Sequence, residues 1–393
     1  MTPLAAIHSP ATMPRVKIMV VDDSVVVRGL LSRWLTADPR FEVLASARNG
    51  RVALEEVDKI IPDIVILDIE MPEMDGLTTL PFLIKKCSRI SVLVASTLTR
   101  RNADLSLKCI SLGAIDYIAK PDSNSSVTTS TEFRKELFEK LDAIVETKQR
   151  RWTSQTSSLK SITQHAPIPL KQHASEPETK QSKPAQNIPH VVHPSHYPMP
   201  KCIVIGASTG GPRAVGAVLS DAGASLSKVP VLIIQHMPAV FTAVFAEHLK
   251  TQTGREVHEG IEGEVLKPGC VYVAPGGRHM HIGKDISGQM CIRLGDGAPE
   301  NFCKPAVDVL FRDACNHYGS HILAIVLTGM GQDGLIGAQQ LYKAGARVIV
   351  QDEATSAVWG MPGAIAKTGI AQKILPVNQI GNCVTAILQG VCK

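Results

Sequence analysis

Apolar and polar positions along the chain alternate in two ways. Short runs at 16–21, 41–45, 64–67, 91–95 and 115–118 are rich in Val and Ile and are bounded by turn-forming residues, the pattern of buried strands. Between the first two, Val27, Leu30, Leu31, Trp34 and Leu35 fall on one helical face, and near residue 140 Phe133, Leu137, Leu141 and Ile144 fall on another. The alternation predicts five β–α units, a parallel sheet with helices on both faces. It resumes at 202–205, 231–234, 271–274, 322–327 and 348–350, with glycine-rich turns after several of these runs. The fold class expected is therefore α/β, with two doubly wound parallel-sheet domains. No helical-bundle or repeat signature competes with it.

The two periodic regions are separated by residues 148–200, which hold eight of the 25 prolines and five of the 13 histidines, with few large apolar side chains. Such a stretch cannot bury enough surface to offset its ordering entropy, and it reads as a flexible linker. The expected organisation is an N-terminal extension over 1–14, a first domain over 15–147, the linker over 148–200 and a second domain over 201–393. His190, His193 and His196 recur every third residue, and their setting among prolines favours solvated linker histidines over a metal tract.

Charge changes the picture only once it is located. The 393-residue chain carries 41 Lys and Arg against 36 Asp and Glu, a formal +5 that by itself raises nucleic acid as a partner. Residues 1–147 carry 18 basic and 20 acidic groups, residues 201–393 carry 16 and 14, and residues 148–200 carry seven and two. The excess belongs to the linker, so no nucleic-acid partner is expected. Mean hydropathy is +0.08, and no apolar run approaches the roughly 18 residues of a membrane span, so direct membrane insertion is not expected either. The first 14 residues lack the charged start and apolar core of a signal peptide, and the nine dispersed cysteines form no C-x-x-C, which together suit a cytoplasmic location.

The candidate chemistry lies at strand ends. Asp22 and Asp23 end the first strand, Asp68 ends the third, Ser96 follows the fourth and Lys120 the fifth. In a parallel sheet these positions share one edge, where ligands gather. Three crowded carboxylates resist ionisation unless a cation is present, and an oxygen-only set favours Mg²⁺. Lys120 and the Ser96 hydroxyl would then contact a phosphoryl group, with Asp68 as its nucleophilic acceptor. Taken singly, an aspartate after a strand is more often a cap or turn residue; the full set is what points to chemistry.

In the second domain the first strand runs into Gly206-Ala207-Ser208-Thr209-Gly210-Gly211, a G-x-S-x-G turn suited to an exposed nucleophile. His236 follows the next strand in IIQHMP, and Asp333 lies in LTGMGQDG after a later one. Together they offer a nucleophile, a base and an orienting carboxylate. Asp308, Asp313 and Asp352 are rival third members that spacing does not exclude. His279-Met280-His281 is adequately explained by an extended segment, and Trp359-Gly360-Met361-Pro362 by a tight turn.

The motifs VVDDS, LDIEMPEMDG, AST and AKP resemble the receiver domain of two-component response regulators over about residues 15 to 145. The motifs IGASTGGP, QHMP, VDVLF, LTGMGQDG and WGMPGA resemble the chemotaxis response-regulator protein-glutamate methylesterase/protein-glutamine glutaminase family, in the same domain order. The resemblance implies a (βα)5 receiver followed by a Rossmann-like catalytic domain. It implies phosphorylation of Asp68 by a histidine kinase, Asp22 and Asp23 as acidic metal-site residues, and Tyr117 as a switch aromatic with Ser96 and Lys120. It implies Ser208 as nucleophile, His236 as acid and base, Asp333 as its orienting carboxylate, Thr209 and Met330 beside the reacting carbonyl, and no cofactor for the ester chemistry. The implied substrate is a methylated glutamate, or a glutamine to be deamidated, on the cytoplasmic helices of a chemoreceptor. Two features depart from the family pattern: Asn301-Phe302-Cys303-Lys304-Pro305 stands where His-Arg-Pro is expected, and Trp359 replaces a tyrosine. A phosphorylation-gated adaptor with an inactive esterase-like domain is the main alternative. A DNA-binding regulator is a weaker one, since it would require a helix-turn-helix output.

Overall fold

The computed structural model describes residues 15–87, 89–121, 131–160, 193–194 and 196–391. The N-terminal extension and residues 161–192 and 195 of the expected linker, His190 among them, lie outside the described residues. The chain forms two compact units, taken in turn.

In the first, the five apolar runs become β1 (Val16–Val21), β2 (Phe41–Ala47), β3 (Ile64–Asp68), β4 (Ser91–Thr97) and β5 (Asp116–Lys120), with the order β2-β1-β3-β4-β5 and parallel pairing throughout. All five residues of β3 are buried, as a central parallel strand requires. Helix α1 (Val25–Thr36) buries Leu30, Leu31, Trp34 and Leu35 and is capped by Ser24, whose side chain accepts from Val27 N–H. Helices α2 (Gly50–Val57) and α3 (Gly76–Lys86) follow β2 and β3 in this unit, and α4 (Arg100–Ser111), which follows β4 in sequence, is counted with the second. Helix α5 (Thr131–Lys160) buries Phe133, Leu137, Leu141 and Ile144.

Helix α5 continues to Lys160, past residue 148 where the sequence pattern begins the linker. Adding residues to a helix already nucleated on an amphipathic stretch costs far less than starting one, so the helix runs on past its periodic segment. At the other end of that segment Tyr197 is buried beneath the Arg347 guanidinium, 4.9 Å from its ring centroid.

The second sheet has seven parallel strands in the order β14-β13-β12-β6-β7-β9-β8. They are β6 (Cys202–Ala207), β7 (Val231–Gln235), β8 (Val257–Glu259), β9 (Val271–Val273), β12 (Ile322–Val326), β13 (Arg347–Gln351) and β14 (Lys373–Leu375). The strands β10 (His279–Lys284) and β11 (Met290–Gly295) form a separate antiparallel hairpin. Strands β6, β7, β12 and β13 are buried along their whole length. They are flanked by α6 (Gly211–Ala222), α7 (Ala239–Thr253), α8 (Val307–Tyr318), α9 (Leu335–Lys343), α10 (Met361–Ala366) and α11 (Val377–Leu388). The sequence pattern did not predict β8, β14 or the hairpin. The chain leaves β6 toward β7 on one side and returns to β12 on the other, and such a reversal marks the carboxyl end of β6 as the place where ligands gather in sheets of this kind.

Candidate active site

Register places Ser208. Strand β6 pairs Ala207 with Gln235 on β7 and Gly206 with Val326 on β12, so the residues just past the strand ends come together. His236 N–H donates to Ala207 O at 3.2 Å, and Ser208 N–H donates to Thr328 O at 3.0 Å. The Gln235 side chain holds Ser208 from below, donating to its carbonyl at 2.9 Å. Ser208 is half-buried, Thr209 is buried, and Gly210 takes a φ of 74° where α6 begins. A Cβ on Gly329 would lie 2.9 Å from Ser208 Cβ and 2.3 Å from Met361 Sδ, so only glycine lets the loop carrying Met330 approach the serine this closely. Among the described residues, the Thr209 and Met330 N–H groups make no internal hydrogen bond.

Of the carboxylates that spacing left open, Asp333 lies on the histidine, with His236 Nε2 at 2.9 Å from Asp333 Oδ2. Asp313 instead accepts from His281 Nδ1 at 2.6 Å, Asp308 accepts from Gly337 N–H, and Asp352 accepts from Thr355. The Asp333 carboxylate is itself held by Val307 N–H at 2.6 Å, Asp308 N–H at 3.0 Å, Gly334 N–H at 2.9 Å and Asn301 Nδ2 at 3.0 Å. Burial opposes its ionisation, but the His236 hydrogen bond and charge and the two α8 N–H groups outweigh that and hold its carboxyl below the ordinary range. For His236, burial favours the neutral ring. The Asp333 hydrogen bond and then Cys303 override it and raise the imidazole to about 9.

Sequence reasoning did not identify Gln235 or Asn301 as supports, and it noted Cys303 only as a departure; the structure puts Cys303 Sγ 3.5 Å from His236 Nδ1. Hydrogen-bonding supports of this kind carry no spacing signal. His279 and His281 lie on β10, with His279 Nδ1 accepting from Ala306 N–H and Nε2 facing Ala298 O, so they are structural here.

In the first unit, Val21 on β1 is level with Leu67 on β3, which sets Asp22 beside Asp68. Thr97 pairs with Lys120, and Asp68 with Ala95. Lys120 Nζ lies 2.6 Å from Asp68 Oδ1 and 3.2 Å from Asp22 Oδ2. Asp22 also accepts from Ser24 N–H at 2.9 Å, Asp23 is exposed, and Ser96 and Tyr117 are buried. Burial, with the neighbouring acids assisting, raises Asp68 to about 6 and raises Asp22 as well, despite Lys120. Lys120 is raised too: burial disfavours its charge, but one ammonium shared by two carboxylates gains more than either carboxylate does. Oxygens of Asp22, Asp23 and Asp68 lie within 4.8 Å of one another, a crowded all-oxygen set that fits Mg²⁺. A Cβ on Gly76 would meet Asp68 O at 2.1 Å, so glycine allows α3 to start against the strand end.

Comparison with known proteins covers both units. Residues 18–132 match the response regulator receiver domain model and residues 203–384 the CheB methylesterase model. The chain is 46% identical to a protein-glutamate methylesterase/protein-glutamine glutaminase of Rhodopseudomonas palustris (strain BisB5), over 95% of this chain and 94% of that one. It is 42% identical to one of Azospirillum brasilense, over 93% and 91%. Among solved structures it is similar to the Thermotoga maritima CheB methylesterase catalytic domain, at 35% identity and a TM-score of 0.46, over 48% of this chain and 98% of that one. With identity at this level over nearly its whole length, the chain belongs to the protein-glutamate methylesterase/protein-glutamine glutaminase family, with a receiver domain preceding the methylesterase domain.

Proposed function

We propose that the protein hydrolyses glutamate γ-methyl esters on chemoreceptors, releasing methanol, and deamidates receptor glutamines at the same site, under control of phosphorylation at Asp68. The observation that carries the reading is the His236–Asp333 pair at 2.9 Å beside Ser208, at the carboxyl edge of β6. Asp333 Oδ2 only accepts, so Nε2 carries the ring proton and Nδ1 presents the lone pair in the neutral ring. Ser208 Oγ attacks the γ-carbonyl carbon as its proton passes to Nδ1. The oxyanion forms beside the Thr209 and Met330 N–H groups and the N-terminus of α6, each good donor being worth roughly 3 kcal/mol. As the intermediate collapses and its C–O or C–N bond breaks, Nδ1–H protonates the leaving methoxy oxygen, giving methanol, or the leaving amide nitrogen of a glutamine, giving ammonia. Water, deprotonated by the same nitrogen, hydrolyses the acyl-serine.

At the receiver site Asp68 accepts the phosphoryl group from a phosphohistidine of a kinase, while Lys120 and the Ser96 hydroxyl neutralise and bind its oxygens. Asp22, Asp23 and Asp68 would hold the Mg²⁺, which when bound offsets negative charge on the phosphoryl oxygens. Among the described residues no helix is long and apolar enough to cross a membrane.

A serine-directed fluorophosphonate separates this reading from an inactive adaptor. It is expected to label Ser208, at a rate rising toward pH 9 as His236 loses its proton. Failure to label Ser208 in the full chain would favour the adaptor.

A further inference from the structure

The nitrogen that must take the serine proton already faces a thiol. Cys303 Sγ lies 3.5 Å from His236 Nδ1, the nitrogen left with the lone pair when Nε2–H donates to Asp333. Cys303, His236 and Asp333 therefore repeat, with sulfur, the relation of nucleophile, base and orienting carboxylate.

The loop is built to hold the thiol there. Asn301 and Phe302 both adopt left-handed backbone, with φ of 53° and 62°, an uncommon and costly pair for residues other than glycine. The turn is closed by reciprocal backbone bonds between Glu300 and Cys303, at 3.1 and 2.9 Å. Asn301 Nδ2 is pinned to Asp308 Oδ2 at 2.9 Å and to Asp333 Oδ1 at 3.0 Å, and Arg312 grips Glu300 at 2.9 and 2.7 Å. Just beyond, Lys304 O accepts from Gly277 N–H. Cys303 is half-buried, as are Cys87, Cys270, Cys315 and Cys383, so small reagents have access to it and its place on His236 is what distinguishes it.

We propose that Cys303 is a reactive modification site seated on the esterase's general base, taking small soft electrophiles and hydrogen peroxide. With a haloacetamide such as iodoacetamide the sulfur displaces iodide from carbon: an S–C bond forms, the C–I bond breaks, and the thiol proton passes to Nδ1 of the neutral ring and on to solvent. With peroxide an S–O bond forms and the O–O bond breaks, giving a sulfenic acid and water; the sulfur is oxidised by two electrons and the peroxide reduced. Either adduct occupies the space in front of Nδ1 and blocks proton transfer from Ser208. This last consequence rests on the methylesterase reading, whereas the reactivity of the thiol does not.

The test treats the full chain with iodoacetamide and follows both Cys303 labelling by peptide mass and methanol release from methylated receptor. With Nδ1 within hydrogen-bond reach of the sulfur, Cys303 is expected to label about tenfold faster in the wild-type and Ser208→Ala chains than in His236→Ala. Wild-type activity is expected to fall in step with Cys303 labelling, while whatever activity the Cys303→Ala chain has survives the reagent. Equal labelling rates with and without His236, or equal inactivation of the Cys303→Ala chain, would overturn the proposal. A methylesterase reading that was itself wrong would show instead as no methanol from untreated wild type, with Cys303 labelling unchanged.

Discussion

An Asp333→Asn chain is expected to fold and to turn over methylated receptor about 10³- to 10⁴-fold more slowly than wild type, the scale of loss when a triad histidine is held in the wrong tautomer. The Asp333 carboxylate accepts from five donors: His236 Nε2, Val307 N–H, Asp308 N–H, Gly334 N–H and Asn301 Nδ2. An amide retains one acceptor oxygen and turns an NH₂ toward some of those donors. If the NH₂ faces His236, Nε2 must give up its proton and Nδ1 becomes N–H, unable to deprotonate Ser208. The N–H groups at the start of α8 then lose a charged acceptor, a further cost of about 1–3 kcal/mol in stability. The pH dependence has a definite sign. Because the folded-state carboxyl is held low, its contribution to stability is complete above the unfolded carboxylate range and is lost as pH falls through the folded value. The wild type should therefore lose its stability advantage over Asp333→Asn in acid. Methanol release and thermal melts read the two effects separately; a kcat within tenfold of wild type would remove Asp333 from the positioning role.

Asp68→Asn is expected to abolish every increase in methylesterase activity produced by a small phosphodonor while making the protein more stable. The first effect follows because no other carboxylate in the cluster has the Lys120 ammonium as close, 2.6 Å against 3.2 Å for Asp22. The second follows from burial. A carboxyl raised to about 6 binds its proton more tightly folded than unfolded, so it destabilises the fold progressively as pH rises through about 4 to 6 and by a constant amount above. That penalty is about 2–3 kcal/mol at pH 7, since each tenfold gain in proton affinity on folding carries about 1.4 kcal/mol. Replacing the acid with an isosteric amide relieves it, and so does a divalent cation. Melting temperature at pH 7 should rise in the variant, and added Mg²⁺ should raise the wild type more than the variant. A variant still stimulated by phosphodonor would move the acceptor elsewhere.

The parts of this structure that were legible in the sequence are those in which a continuous apolar run ends in a polar residue. Buried parallel strands such as Ile64–Asp68 and Val231–Gln235 have apolar side chains on both faces, so they stand out, and the residue at each carboxyl end is automatically at the ligand edge. Ser208, His236, Asp68 and Lys120 were found that way. The short edge strands Val257–Glu259 and Lys373–Leu375 bury too few side chains to leave a run, and they were missed. The continuation of α5 to Lys160 was missed because helix propagation needs no apolar face once the helix has started. Spacing was also silent on which of four aspartates meets His236. That depends on how α8 packs its first N–H groups against the loop after β12, a tertiary contact. Cys303 was visible only as an oddity, because its distance from Nδ1 is set by two left-handed residues whose backbone no sequence pattern announces.

On the proposed function, Ser208, activated by His236, hydrolyses receptor methyl esters. Methanol release from methylated chemoreceptor by the full-length wild-type and Ser208→Ala chains, each with and without a phosphodonor, tests it directly. Release by wild type is expected to increase with the phosphodonor, and release by Ser208→Ala to be no faster than receptor alone under both conditions. Methanol released by the Ser208→Ala chain above that background would contradict it.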